Sequence, residues 1–288
     1  MRGGEWMKYA GAGAALALVL ALLAVWNSVF ALASPGVLTV SFLDVGQGDA
    51  VFIESPTGAQ VLIDGGKDRS VLRELGTVMN WFDRTIDMVI ATHPDADHIG
   101  GLPEIFAQYD VAHVVQSDVL DDGSDFLALE GAVARESGTN IHTASRGQVF
   151  DLGGGAYLEI LFPDRAVSAV ETNTGSIAAM LVYGDTSFLF TGDSPQAIEK
   201  YLVSLDGTRL KSDVLKVGHH GSKTSSASVF VGYVSPQYAV LSRGCANSYG
   251  HPHQEVLDTF ARFEIEMLDT CKEGTITFVS DGTTVRLR

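Results

Sequence analysis

Four clusters of chemistry-bearing residues punctuate this chain, and each sits just beyond a short apolar run that reads as a β-strand. Met88–Ala91 leads into Thr92-His93-Pro94-Asp95-Ala96-Asp97-His98-Ile99-Gly100-Gly101. Thr186–Phe190 leads into Thr191-Gly192-Asp193. The strand Val214–Val217 runs into Lys216-Val217-Gly218-His219-His220-Gly221-Ser222-Lys223. Tyr238–Ser242 precedes Asn247-Ser248-Tyr249-Gly250-His251-Pro252-His253. A chain that returns its polar chemistry to strand ends again and again is an α/β chain, because open α/β sheets build their sites in the loops beyond their strands.

The remaining pattern agrees. Strands are expected at Val37–Phe42, Ala50–Glu54, Gln60–Ile63, His113–Gln116, Tyr157–Phe162 and Ser176–Tyr183. Thr275–Val279 and Thr284–Leu287 read as a closing hairpin. Helices are expected at Ser70–Met79, Ile99–Tyr109, Phe126–Glu136, Pro195–Ser204, Ala227–Val234 and Gln254–Phe263. Sheets inside and helices outside make an α/β sandwich.

The run from His93 to His98 packs two imidazoles and two carboxylates into six residues. That donor set suits first-row divalent metals, and the number of donors suggests two ions. The formal charge of −16, from 19 Lys+Arg against 35 Asp+Glu, argues against a protein that holds nucleic acid by a broad basic surface. It leaves room for a phosphate site built locally from bound cations.

The N-terminal portion is different. Ala10 to Ala33 carries no charged residue, which is long enough to span a bilayer. Ala31-Leu32-Ala33 also fits a signal cleavage site, so a membrane anchor and a cleaved signal peptide both stand. Arg2 and Lys8 precede the segment and acids follow it, giving N-in, C-out and a folded domain outside the cytoplasm, anchored or secreted after cleavage near Ala33. Residues 1–36 are thus the anchor or signal segment and 37–288 the folded domain. Cys245 and Cys271 each end a strand and form a disulfide if those strands are neighbours; two unlinked thiols are the alternative.

His93-x-Asp95-x-Asp97-His98 resembles the HxHxDH signature of the metallo-β-lactamase superfamily, with aspartate in place of the second histidine. Phe42–Ala50, Leu62–Gly66, Phe190–Asp193, His219–Ser222 and Tyr249–Pro252 are similar to the corresponding motifs of the metallo-β-lactamase-like domain of ComEC-type competence proteins. The resemblance implies an αββα sandwich: two central mixed sheets flanked by helices. It implies a binuclear metal-dependent hydrolase, a phosphodiesterase or nuclease linked to DNA uptake, that uses a metal-activated water. Single-stranded or end-bearing DNA would be the substrate, and a separate channel protein the partner. With one apolar segment, the chain reads as a free-standing, tethered hydrolase domain rather than the channel.

The resemblance also implies residue roles. His93 and Asp95 would hold one ion, Asp97 and His98 the second, and Asp193 would bridge them. His219 is favoured over His220 to complete the second site, because it comes first after the strand; His220 then faces substrate or a carboxylate. Oxygen-rich ligation tilts the metals toward manganese over zinc. Asn173 approaches metal or substrate, or caps a strand. Asp64, Asp49 and Gln47 support the ligands from behind, with turn formation the alternative for Gln47 and Asp49. Ser222 and Lys223 meet a phosphate, and His251 protonates the leaving oxygen or binds phosphate. His253 caps the following helix, and His113 and His142 are surface or packing residues. Two other functions compete: hydrolysis of a small ester, lactone or β-lactam, and a non-catalytic DNA-binding or assembly module.

Overall fold

The computed structural model describes residues 15–23 and 36–288. By its internal contacts the chain divides into Met1–Gly36 and Val37–Arg288. The apolar stretch expected to cross a membrane lies mostly outside the described residues. Within it, residues 15–23 form helix α1, and among the described residues no helix is long and apolar enough to cross a membrane.

The second unit is wound as two sheets. Strands β1 (Leu38–Phe42), β2 (Val51–Glu54), β3 (Gln60–Ile63), β4 (Thr85–Ala91), β5 (Asp110–Gln116) and β6 (Asn140–Thr143) build the first. The second holds β7 (Val149–Gly153), β8 (Ala156–Phe162), β9 (Ala178–Tyr183), β10 (Thr186–Phe190), β11 (Val214–Lys216), β12 (Tyr238–Leu241) and β13 (Glu266–Asp269). Then β14 (Ile276–Ser280) and β15 (Val285–Leu287) return to the first sheet, whose order is β15-β14-β1-β2-β3-β4-β5-β6. The second runs β13-β12-β11-β10-β9-β8-β7. Both are mixed: β3 to β6 and β10 to β13 pair in parallel, the others antiparallel.

Period-two alternation assigns the two faces of each strand. On β10, Phe188 and Phe190 enter the core between the sheets while Leu189 enters the outer layer. On β4, Met88 and Ile90 point inward, while Val89 and Ala91 pack under helices. Phe42, Phe190 and Phe278 meet at the centre, with ring centroids about 6.1 and 6.0 Å from Phe42. Helices α2 (Ser70–Val78), α3 (Ala96–Ile99), α4 (Leu102–Phe106) and α5 (Ser124–Val133) contribute to the outer apolar layer of the first sheet. Helices α6 (Gln196–Asp206), α7 (Ser228–Val234) and α8 (Gln254–Arg262) cover the second, and a last turn, α9, spans Thr270–Glu273. This is the expected αββα sandwich.

Three expectations need correction. The helix expected over Ile99–Tyr109 is two helices, α3 and α4, split at Gly100-Gly101. A Cβ at Gly101 would lie 2.2 Å from the Gly65 carbonyl oxygen, so this position serves close packing against the loop after β3. Strand β9 starts at Ala178, because Thr172–Gly175 is a 3-10 turn capped by Glu171. Strands β6, β7 and β13 had no counterpart in the sequence reading. They lie toward sheet edges, and their short, half-exposed segments lack a sustained apolar run.

Candidate metal centre

The centre forms beyond the ends of β3 and β4 in one sheet and β10, β11 and β12 in the other. The first loop to reach it lies between β1 and β2. Gly48 there packs so tightly that a Cβ would fall 2.0 Å from the Asp97 carbonyl oxygen. Asp49 N donates to that oxygen at 3.2 Å. Asp64, just after β3, accepts from Thr92 N at 2.8 Å and from Thr92 Oγ1 at 2.7 Å. It also accepts from His98 Nδ1 at 2.8 Å, which turns the Nε2 of His98 toward the centre. Thr92 Oγ1, its proton given to Asp64, accepts from His93 Nδ1 at 3.0 Å. His220 Nδ1 donates to the Ser242 carbonyl at 3.0 Å.

Three imidazoles therefore commit Nδ1 to the protein and aim Nε2 at one place, where Asp193 waits. His98 Nε2 and His220 Nε2 lie 3.3 and 3.4 Å from Asp193 Oδ2, and His220 Nε2 lies 3.3 Å from Asp97 Oδ2. None of the buried atoms His93 Nε2, His98 Nε2, His220 Nε2 and Asp193 Oδ1 makes a hydrogen bond. Buried polar atoms left without partners are costly, and a divalent cation satisfies all of these donors. The residues fit a metal. His93, His98 and Asp193 form one candidate group, and Asp97, His98 and His220 another, each with ligand atoms within 4.8 Å of one another.

The electrostatics tell the same story. Burial disfavours a charged His220, yet the charges of Asp193 and Asp49 push it up to about 9. Burial would raise Asp97, but the close approach of His220 and the charge of His98 hold it below the usual carboxylate range. A pocket that draws protons onto its imidazoles is a pocket short of positive charge.

Lys216 supplies part of that charge, and the sequence reading gave it no role. It ends the three-residue strand β11, is 2% exposed, and its ammonium contacts Asp49 and lies 3.7 Å from Asp193 Oδ1. Burial opposes its charge, but Asp49 and Asp193 keep its pKa above the ordinary lysine value. The available signal was a lysine inside an otherwise apolar strand.

Other expected residues fall as follows. His220, not His219, enters the candidate groups. The strand stops at Lys216, and two successive left-handed residues (φ 48° and 50°) fold His220 back beneath the site. His219 Nε2 stays 3.6 Å from Asp193 Oδ2 on a side chain 25% exposed. Asp95 stands at the rim, its Oδ2 3.7 Å from His93 Nε2, outside the groups. Asn173 Oδ1 is buried with no hydrogen bond, and Glu171 does the capping there. Ser222 Oγ accepts from Thr224 N and Oγ1, shaping the turn, and Lys223 is exposed. His253 makes no side-chain cap of α8; its Nδ1 accepts from Lys223 N at 3.3 Å. His113 and His142 pair with each other at 3.1 Å on β5 and β6. Gln47 Oε1 accepts from Gly244 N at 3.3 Å, joining the first loop to the loop that carries Cys245. Cys245 and Cys271 are joined by a disulfide, with Cα atoms 5.0 Å apart.

The family model described as "Metallo-beta-lactamase superfamily" matches residues 43–244, which hold every candidate ligand. The chain belongs to the metallo-beta-lactamase superfamily. It is 33% identical over 257 residues to "ComE operon protein 3" of Bacillus subtilis (strain 168), covering 83% of this chain and 32% of that protein. It is 31% identical over 240 residues to "Competence protein ComA" of Neisseria gonorrhoeae, covering 83% and 32%. The chain thus spans about a third of the length of these curated relatives. Among solved structures, the metallo-beta-lactamase fold protein YhfI from Bacillus subtilis is similar in fold, with a TM-score of 0.54 and 13% identity over 80% of this chain and 96% of that one.

Proposed function

We propose that this metallo-beta-lactamase superfamily member is a two-ion phosphodiesterase that cleaves DNA during DNA uptake. The observation that carries the reading is the convergence of three partnerless Nε2 atoms on Asp193. The competence names of two relatives point the substrate toward DNA. His93, His98 and Asp193 would hold one ion, and Asp97, His98 or His220, and Asp193 the other. Mixed nitrogen and oxygen donors suit zinc or manganese. Bound ions supply Lewis acidity toward a phosphoryl oxygen and lower the pKa of a coordinated water.

The chain's own residues do the rest. Asp64, Thr92 and the Ser242 carbonyl fix the tautomers of the imidazoles. Lys216 anchors Asp49 and one oxygen of Asp193. Burial, with the charges of His219, His220 and His253, pushes His251 down to about 4, so the ring is neutral at pH 7. It therefore orients a phosphate oxygen rather than delivering a proton from an imidazolium. The domain acts outside the cytoplasm, tethered or led there by the apolar segment Ala10–Ala33, with a separate channel protein as partner. The Cys245–Cys271 bridge supports an oxidising compartment.

The test is direct. The protein is loaded with manganese or zinc, its metal content is measured, and turnover of a single-stranded oligonucleotide is compared with that of a β-lactam. Two equivalents of metal with cleavage of the oligonucleotide alone is the expected result. Turnover of the β-lactam alone, or metal binding with no turnover, overturns the reading.

A further inference from the structure

Beside Asp97 lies a cavity of about 250 Å³, lined by Gln47, Lys67, Asp97, Ala246, Asn247 and Tyr249 among others. Its floor reaches a candidate ligand, while its wall is an aromatic ring that the metal chemistry does not need. Tyr249 is 63% exposed, so its ring is open to an incoming group at the cavity. The ring lies near-parallel to His251, with centroids 5.6 Å apart and planes 23° apart. The loop that carries it is fastened at several points. Cys245 is bonded to Cys271. Asn247 Nδ2 donates to the Gly244 and His251 carbonyls, both at 2.9 Å, and Asn247 Oδ1 accepts from His251 N at 2.9 Å. Gln47 holds Gly244 from the opposite side.

We propose that this cavity is a nucleobase subsite, with Tyr249 as its stacking face and Lys67 placed for a neighbouring phosphate. The proposal rests on the phosphodiesterase reading and names the part of the substrate the centre grips. Its physical basis is the charge of the chain. At −16, broad electrostatic capture of a polyanion is unfavourable. Stacking on an aromatic ring adds binding that does not come from the phosphate charge and tolerates any base, because every base has a π-face. An aromatic step next to the metal centre would bring one nucleotide to Asp97 and leave the rest of the strand in solvent.

Binding is measured by fluorescence anisotropy on the full chain, with and without added metal. The probes are a short single-stranded thymidine oligonucleotide and an abasic oligomer of the same length. The wild-type protein is expected to prefer the base-bearing oligomer by about tenfold. Tyr249→Ala removes that preference and leaves abasic binding unchanged, while Tyr249→Trp restores it. Equal binding of the two oligomers by the wild type, or a preference that survives Tyr249→Ala, overturns the proposal. Cleavage is scored separately, so a protein that prefers bases but cuts neither oligomer refutes the phosphodiesterase reading and not the subsite.

Discussion

The Lys216 ammonium is in contact with the Asp49 carboxylate, and both side chains are almost wholly buried. The pair joins the loop after β1 to the end of β11, and so links the two sheets directly beneath the candidate metal centre. Breaking it from one side leaves an uncompensated buried charge, which typically costs about 3–5 kcal/mol. Lys216→Met is expected to lower the unfolding free energy of the metal-free protein by that order. The double variant Lys216→Met/Asp49→Asn should recover a good part of the loss. Urea unfolding of the two single variants and the double supplies the cycle, and strictly additive losses would show that the pair is not coupled.

Asp193 faces three imidazoles within 3.6 Å through one oxygen and Lys216 through the other. Asp193→Asn keeps the shape and removes the charge. Metal affinity by calorimetry should fall at least tenfold and oligonucleotide cleavage should disappear, with the circular dichroism spectrum intact. Full activity in this variant contradicts the ligand role.

Metal loading should also depend on pH. The charges around His98 and His220 raise both above the ordinary histidine value, His220 to about 9. At pH 7 the His220 ring then carries a proton that a cation must displace. Binding weakens as pH falls and releases at least one proton per chain. Calorimetry at pH 7 in buffers of different ionisation enthalpy reads that release; a binding enthalpy independent of buffer refutes it.

Glu199, on α6, is buried and accepts from Ser226 N and Ala227 N, both at 2.7 Å, in the stretch just after the His219–Ser222 turn. Burial pushes its carboxyl up to about 7, from an ordinary 4.5. The folded state therefore holds a proton that the unfolded chain has lost. Its contribution is fully present below pH 4.5 and declines as pH rises through 7, by roughly 3 kcal/mol. Relative to Glu199→Gln, the wild-type protein should lose stability over that window. Unfolding curves at several pH values check this, and a constant difference between the two proteins counts against it.

The Cys245–Cys271 bridge closes a sequence separation of 26 residues. A loop of that size is worth roughly 3 kcal/mol by chain entropy. Cys245→Ser/Cys271→Ser should unfold at correspondingly lower denaturant, and its preference for base-bearing oligomers should shrink as the Tyr249 loop loosens. Unchanged stability would show that the hydrogen bonds of Asn247 hold the loop alone.

Much of this architecture could be read from residues alone because apolar alternation and loop chemistry coincide. Phe188-Leu189-Phe190 followed by Thr191-Gly192-Asp193 names a strand, its two faces and its functional end in six residues. What eluded the sequence depended on backbone shape or on charge seen in three dimensions. The order of His219 and His220 favoured His219, whereas the candidate groups take His220, because the turn there is left-handed and inverts the expected facing. Lys216 stood in its cluster without a role, since nothing local shows that Asp49, 167 positions earlier, supplies its counter-charge. Asp95 looked equal to Asp97 by spacing, but it precedes the first turn of α3 and points to the rim.

The two sheets contribute their donors unevenly in sequence but jointly in space: His93 and His98 follow β4, whereas Asp193 and His220 follow β10 and β11. Each half of the sandwich alone thus carries an incomplete set of ligands. A cation held by these candidate ligands would act as a rivet at the open edge of the sandwich, and any force that shears one layer over the other would have to stretch it. Loading and layer alignment become one event, so chelation should loosen the seam between the layers before it disturbs either sheet.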